Sequence, residues 1–488
     1  MKLKIFVLIF AFYNSAIAQN FININPVYPR YSITKKMVET GYYQPRVDSL
    51  LNANYMNGLC DRPFQGVTFF PNWPLLPNDE RLLPQSIFTP TLVSSAIANL
   101  NQLSQISWCD SKTDNFLYYT LVGSNAEWFN DNQWDVVNKN ALTISNEVIA
   151  AKAKGIFWDT EHYGSSIWEY NSLLYPNNTY EEVKAKVRQR GYDFTTSLAS
   201  IKPDIKILAS GLWMFTYWNA GGNITNIQNT TYCLLKDFSE GMLDAASREV
   251  KIIDGNEIAY NWVNTANIHY QPGANNLVSN PGNFVNSSLL NKNKLFKQVG
   301  QSIFYNNFKP INSLVNQKKL EHSIYNTLLT SDEYTWFYSE EDSSFWSRPF
   351  PYEAKTAIES GYNKYHLGQK LGFTINNDNF VNYSRDLKII YPLQNQIFSV
   401  GDTISFKTKF SSNVTDILYY SSFESLPVLA TSNGSFNTIA IIPGVYTLFA
   451  VSNGFNKLSN PVTFFVKCAN ESINNKFITP ETKYAQNK

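Results

Sequence analysis

Cysteine is scarce in this chain: Cys60, Cys109, Cys233 and Cys468 are the only four in 488 residues, and no two form C-x-x-C. That is too few for a disulfide scaffold and the wrong spacing for a thiolate zinc site. Cys60 with Cys109 is the one pairing to consider, and buried free thiols are the preferred reading. Histidine is equally rare. His162, His269, His322 and His366 show no H-x-x-x-H or H-E-x-x-H spacing, which argues against a dedicated zinc site. There is no D-x-D-x-D loop for calcium and no G-x-S-x-G elbow for an esterase nucleophile. No metal and no cofactor are expected. Charge of one sign is missing too: 40 basic against 39 acidic residues leave a net charge of +1. Without a Lys/Arg cluster to follow a phosphate backbone, nucleic acid is excluded as a partner. Beyond the first residues, no apolar run reaches the roughly 20 residues a transmembrane helix needs.

Aromatic residues are plentiful, at 15%, with 11 Trp, 30 Tyr and 33 Phe. Flat apolar rings with a polar tip suit sugar rings as well as large cores. The start of the chain, Met1-Lys2-Leu3-Lys4, then the apolar run Ile5 to Tyr13, then Ala16-Ile17-Ala18, has the order of a secretory signal peptide. Residues 1–18 are therefore expected to be removed. No Cys precedes Cys60, so a lipid-attachment cysteine is missing, and a secreted or periplasmic monomer is expected.

The length fits a large domain followed by a small one. Between residues 37 and 375, short apolar strands alternate with helical stretches, the pattern of β/α units. Eight strands are expected at 36–42, 66–70, 116–122, 154–161, 206–213, 250–257, 301–306 and 333–340. Helices are expected at 45–59, 94–106, 133–153, 180–199 and 232–246. The fold class is therefore α/β, a (β/α)8 TIM barrel over residues 19–380.

Such barrels place chemistry at the carboxyl ends of their strands. The fourth strand runs Gly155-Ile156-Phe157-Trp158-Asp159-Thr160-Glu161. On a strand, Asp159 and Glu161 share one face, where each charge raises the pKa of the other and so prepares a proton donor. The sixth strand ends in Asp254 and Glu257, followed by Tyr260, and the eighth in Glu340. Asp159, Glu161, Glu257 and Glu340 are thus the candidate catalytic residues. Trp158, Tyr163, Trp213, Asp254, Tyr260 and Trp336 are the candidate substrate contacts, the rings as walls of a sugar pocket.

Several segments carry a resemblance: Lys35-Lys36-Met37-Val38, Pro63-Phe64-Gln65-Gly66-Val67, Gly155 to Gly164, Arg188-Gln189-Arg190-Gly191, Ile253 to Tyr260 and Glu333 to Glu340. They resemble those of bacterial TIM-barrel proteins of the glycoside hydrolase superfamily that are named by fold. The resemblance implies glycosidase-type chemistry on a carbohydrate without naming the sugar. The end of the fourth strand is also similar to the chitinase family 18 motif D-x-D-x-E. Asp159 and Glu161 match its last two positions, but Phe157 stands where the motif has Asp, which argues against substrate-assisted cleavage. In retaining barrel glycosidases the acid/base lies on strand four and the nucleophile on strand seven. Glu161 fits the first role. Strand seven offers Tyr305, Asn306 and Asn307 and no carboxylate, so in an active enzyme the partner comes from elsewhere, with Glu257 or Glu340 the nearest candidates by topology.

From residue 386 to 467 the texture changes to short alternating strands separated by Gly, Asn, Ser and Pro. This segment is expected to be an all-β sandwich. With Pro443-Gly444-Val445-Tyr446-Thr447-Leu448 it resembles the immunoglobulin-like modules of exported bacterial glycosidases, which implies a spacer or docking role. A polar linker is expected at 376–386 and a disordered tail at 468–488. Two functions remain: an exported glycoside hydrolase with Glu161 as general acid/base, or a non-catalytic carbohydrate-binding or surface-assembly protein on a barrel without its nucleophile.

Overall fold

The structure is a computed structural model that describes residues 35–71, 100–120, 127–162 and 167–262 apart from 222 and 248, then 285–467 with short interruptions. The expected signal peptide and C-terminal tail lie outside the described residues, as do Tyr163, His269 and Cys468.

Nine strands form one parallel sheet: β1 (Lys36–Gly41), β2 (Gly66–Phe69), β3 (Phe116–Thr120), β4 (Gly155–Asp159), β5 (Lys206–Ala209), β6 (Lys251–Asp254), β7 (Lys297–Val299), β8 (Gln301–Phe304) and β9 (Tyr334–Ser339). Pairing follows chain order from β1 to β7, while β8 pairs with β9 and β9 with β1. Only Gly300 separates β7 from β8, and its N–H donates to the Asp254 carbonyl at 2.8 Å. β7 and β8 therefore act as one bent strand, lying along β6 in its first half and β9 in its second. The ring closes with eight staves, a TIM barrel. The seventh strand starts four residues before the expected Gln301, because the bend at Gly300 breaks its apolar pattern.

Side chains alternate across each strand. Val38, Phe116, Phe157, Leu208, Ile253, Tyr334 and Trp336 point inward and fill the barrel. Ile156, Trp158, Ile207 and Ile252 point outward into the core beneath the helices. At the amino end, Lys206 pairs with Glu333 and donates to the Tyr334 hydroxyl at 2.8 Å, which donates to Asp114 Oδ1 at 2.7 Å. That network closes one mouth and leaves chemistry to the other.

The described helices are α1 (Val47–Leu50), α2 (Ala53–Cys60), α3 (Asp131–Ala150), α4 (Tyr180–Ile201), α5 (Trp213–Asn219), α6 (Leu235–Ala245), α7 (Leu314–Thr330) and α8 (Tyr352–His366). A capping box starts α4: the Thr179 hydroxyl accepts from the Glu182 N–H, and Glu182 Oε2 accepts from the Thr179 N–H at 2.7 Å. Its Gly191 meets α6 so closely that a Cβ there would lie 2.1 Å from the Phe238 carbonyl oxygen. This gives the Arg188-Gln189-Arg190-Gly191 segment a packing role. Arg188 pairs with Asp244 and Glu240, and Arg190 donates to the Trp128 carbonyl at 3.0 Å. Cys60 and Cys109 form a disulfide with Cα atoms 6.3 Å apart, which corrects the preference for free thiols. Cys233 is free and buried.

The expected linker also needs correction. Phe373–Asn376 (β10) and Asn379–Asn382 (β11) pair antiparallel, so Asn376 and Asn379 close a hairpin. Phe373 and Ile375 are buried with Leu371 against Tyr325 of α7.

Beyond it, β12 (Leu387–Tyr391), β14 (Thr403–Phe410) and β17 (Ser435–Ile439) form one sheet. β13 (Gln396–Ser399), β20 (Val462–Lys467), β18 (Gly444–Ser452), β15 (Leu418–Ser421) and β16 (Val428–Leu429) form a second, with β19 (Lys457–Leu458) paired to β18. Leu387, Ile404 and Phe406 of the first sheet share a core with Phe398, Leu448 and Phe464 of the second. The pairs are antiparallel except β13 with β20.

Candidate active site

β4 delivers Asp159 at its last residue, on the inward face shared with Phe157. The chain then turns. The Thr160 N–H donates to Ser210 Oγ at 3.1 Å and its hydroxyl to the Gly211 carbonyl at 2.5 Å, tying the turn to the end of β5. Glu161 therefore lies past the strand, not on it as expected. Its proximity to Asp159 is fixed by a different contact: its N–H donates to Asp159 Oδ1 at 3.0 Å. Asp159 Oδ2 accepts from the Tyr118 hydroxyl at 2.6 Å.

β6 reaches the same place through a tight turn. The Gly255 N–H donates to the Ala209 carbonyl at 2.8 Å, and a Cβ at Gly255 would lie 2.2 Å from that oxygen. Asn256 adopts φ +49°, held by its side-chain donation to Gln301 Oε1 at 2.8 Å and by its carbonyl, which accepts from Ser302 Oγ at 2.8 Å. The Glu257 N–H then donates to the Ser210 carbonyl at 3.0 Å. Glu257 thus begins a 3-10 helix, Glu257–Trp262, rather than ending a strand.

This turn brings Glu257 within reach of the charges of Glu161 and Asp159. Burial, then those two carboxylates, push its pKa well above the ordinary carboxyl range. Although the residue is partly exposed, Glu257 Oε2 is shut off from solvent and has no hydrogen-bond partner among the described residues. The Tyr260 hydroxyl, one turn on, is in the same condition. Its ring stacks on Phe304 with centroids 5.2 Å apart and lies beside Trp336 and Tyr338. Burial, with the charges of Glu257, Glu161 and Asp159, keeps the hydroxyls of Tyr260, Tyr232 and Tyr338 protonated. His162 sits 5.0 Å from the Tyr232 ring and is held neutral by burial. The arrangement can offer one proton and one negative charge to a bound molecule.

The sequence-selected residues divide. Asp159, Glu161, Glu257 and Tyr260 come together. Trp336 lies under them inside the barrel, its Nε1 donating to the Gly255 carbonyl at 2.8 Å. Trp158 and Trp213 do not wall a pocket. Trp158 is fully buried against Trp168, Phe194 and Phe238 in the helix layer. Trp213 starts α5, buried, with Lys297 Nζ 4.5 Å from its ring centroid. Asp254 faces outward and accepts from the Leu212 and Met214 N–H groups at 3.2 and 3.1 Å, capping α5. Glu340 is exposed on the rim, where its N–H donates to Asn306 Oδ1 at 3.1 Å and its charge acts on Tyr338. Sequence reading missed Tyr118, Tyr338 and Tyr232. The first two were findable, as each falls on the inward face of its strand, Tyr118 two residues and Tyr338 one residue before its end. Tyr232, in a turn before α6, carried no signal.

No family model matches this chain, and no curated protein matches it. Solved structures it is similar to include the endo-beta-1,4-mannanase from Thermotoga petrophila, at 9% identity over 90% of this chain and 99% of that one, TM-score 0.39. A modular endo-beta-1,4-mannanase from Cellulomonas fimi shares 10% identity over 92% and 100%, TM-score 0.33. A GH18 chitinase from Pseudoalteromonas aurantia shares 12% over 67% and 100%, TM-score 0.33. Likeness at these scores carries no argument, and the barrel stands on its own strand pairing.

Proposed function

We propose that the protein is an exported glycoside hydrolase acting on a poly- or oligosaccharide, with Glu257 as proton donor and Glu161 as its ionised partner. One observation carries this reading: a carboxyl group driven to stay protonated beside two others at the carboxyl ends of barrel strands. Glu257 gives its proton to the glycosidic oxygen as the C–O bond breaks. Glu161 then either attacks the anomeric carbon or takes a proton from the attacking water. Asp159 holds Glu161 by its backbone and supplies the second charge that keeps Glu257 protonated. In this reading the general-acid role expected for Glu161 passes to Glu257, on the turn after β6, where burial and two neighbouring carboxylates hold its proton. The C-terminal sheets serve as an immunoglobulin-like spacer. The Cys60–Cys109 disulfide fits an oxidising compartment, secreted or periplasmic.

The test is release of reducing ends from a panel of purified polysaccharides by wild-type protein and by Glu257→Gln. Turnover that the substitution abolishes is expected; wild-type inactivity on the whole panel overturns the reading. The rival, a non-catalytic carbohydrate-binding protein, is favoured by one observation. β8 ends at Phe304 and runs into the 3-10 helix Tyr305–Phe308, where retaining barrel enzymes of the resemblance above would carry an acid. Binding without turnover on that panel would support it.

A further inference from the structure

The two acid-bearing turns meet on one residue. Ser210 follows β5, the stave that stands between β4 and β6, and its backbone and side chain reach both neighbours. Its N–H donates to the Trp158 carbonyl at 2.9 Å, one residue before Asp159. Its hydroxyl oxygen accepts from the Thr160 N–H at 3.1 Å. The single Thr160 hydroxyl proton goes to the Gly211 carbonyl, so the Ser210 hydroxyl donates to Thr160 Oγ1 at 3.0 Å. On the other side, the Ser210 carbonyl accepts from the Glu257 N–H at 3.0 Å.

The peptide that Ser210 Oγ holds is the one joining Asp159 to Thr160. Its orientation sets how the chain leaves β4 and where Glu161 begins. Glu257 depends on a different part of the same residue. Its N–H hangs from the Ser210 backbone, and Asn256 before it is gripped by Gln301 and Ser302 of β8. The Ser210 side chain therefore orients the Glu161 turn against a Glu257 turn that does not need that side chain. Ser210 and Thr160 are both buried, so a donor that loses its acceptor there is costly.

We propose that Ser210 is the positioning residue of this site, its hydroxyl setting the placement of Glu161 relative to Glu257. This rests on the reading of those two as the reacting pair. The gap between two such carboxyls decides whether the ionised one attacks the anomeric carbon or activates a water, so the residue that fixes the gap governs the outcome. Ser210→Ala removes the hydroxyl and keeps the carbonyl. The buried Thr160 N–H then has to tilt toward a new acceptor, Glu161 moves with it, and less of its charge reaches Glu257.

The experiment reads Glu257 directly, in full-length protein without substrate. Glutamate labelled at its carboxyl carbon is followed by NMR through a pH titration, and the Glu257 signal is the one missing from Glu257→Gln. Among the described residues, Glu161 and Asp159 are the charges acting on this group, and Tyr232, Tyr260 and Tyr338 are the hydroxyls that feel it. In Ser210→Ala the signal should titrate at lower pH than in wild type. Ser210→Cys, which nearly keeps the shape and weakens the acceptor, should move it the same way by less, and decides the matter if the alanine variant does not fold. Ser145→Ala is the control: its hydroxyl, equally buried, donates to the Leu198 carbonyl at 2.9 Å in the helix layer, so its loss should lower the melting temperature and leave Glu257 unmoved. On a polysaccharide that the wild type cleaves, Ser210→Ala should lower kcat by about 10-fold or more and change KM by less than about 3-fold. An unmoved Glu257 signal in the folded Ser210 variants overturns the proposal, as does an equal shift in Ser145→Ala. A downward shift in a protein inactive on every polysaccharide supports the positioning and sinks the hydrolase reading; turnover with an unmoved signal does the reverse.

Discussion

The Tyr118 hydroxyl donates to Asp159 Oδ2 at 2.6 Å, while the other oxygen of the same carboxylate accepts from the Glu161 N–H at 3.0 Å. One carboxylate is thus held from both sides. Its two partners come from β3 and from the turn after β4, so neither strand alone sets its orientation. A donor to a carboxylate favours the charged form. That charge is one of the two that keep the proton on Glu257.

Tyr118→Phe removes the donor and leaves the ring, which stacks on Phe157 at 5.6 Å. The expected result is a fall in kcat/KM of about 10-fold, the scale of about 1.5 kcal/mol for a hydrogen bond to a charged group. The alkaline limb of the pH profile should move down because Glu257 loses part of the field that holds its proton. An unchanged profile with lower kcat would reduce Tyr118 to packing.

Glu257 also couples the site to stability. Its pKa is raised on folding, so the native state binds a proton that the unfolded chain releases above the ordinary carboxyl range. Its contribution is fully present below that range and is lost as pH rises. Glu257→Gln should therefore melt at the same temperature as wild type near pH 4 and at a higher one near pH 8. Equal melting temperatures at both values would show that the carboxyl is not held protonated. Activity should fall by roughly 100-fold or more.

Outside the site, Asp237 of α6 behaves alike. It is buried, with Oδ2 unpartnered among the described residues and Lys236 Nζ 3.7 Å from Oδ1. Burial raises its pKa to about 6, against the lowering effect of Lys236. Stability tied to this group is present below the ordinary Asp range and lost as pH rises through about 6. Asp237→Asn should remove that part of the pH dependence and stabilise the protein by about 1–2 kcal/mol above pH 7, read by urea unfolding at pH 5 and pH 8. No difference in pH slope would place the charge in contact with water.

The barrel was legible because its signals are local. Alternation of inward Phe157 and outward Trp158 and the end of the apolar run at Asp159 are properties of five consecutive residues. What escaped depends on contacts far along the chain. Trp158 reads as a pocket wall until the helices carrying Phe194 and Phe238 cover it. Asp254 reads as a site acid until the amides of Leu212 and Met214 claim it. The pairing of Glu161 with Glu257 needed the left-handed turn at Asn256, which no strand pattern announces.

Glu340 and Glu161 separate the two candidate partners of Glu257. Both follow the ends of barrel strands, and the sequence reading puts Glu161 first as acid/base while leaving Glu340 level with Glu257 as its partner. Their surroundings differ. Glu161 is half-buried and its charge is the larger of the two acting on Glu257; Glu340 is exposed and acts on Tyr338 instead. Exposed charges are screened by water and salt, so a carboxylate on the rim has little power to stabilise charge developing at a sugar ring. Glu161→Gln should lower turnover by roughly 100-fold or more, with the substitution preserving shape, while Glu340→Gln should change it by less than about 3-fold. Adding azide to the Glu161→Ala variant distinguishes its role: recovery of turnover with a glycosyl azide product marks a carboxylate that acts at the anomeric carbon. A Glu340→Gln variant as damaged as Glu161→Gln would move the partner to β9 and break the assignment of this site.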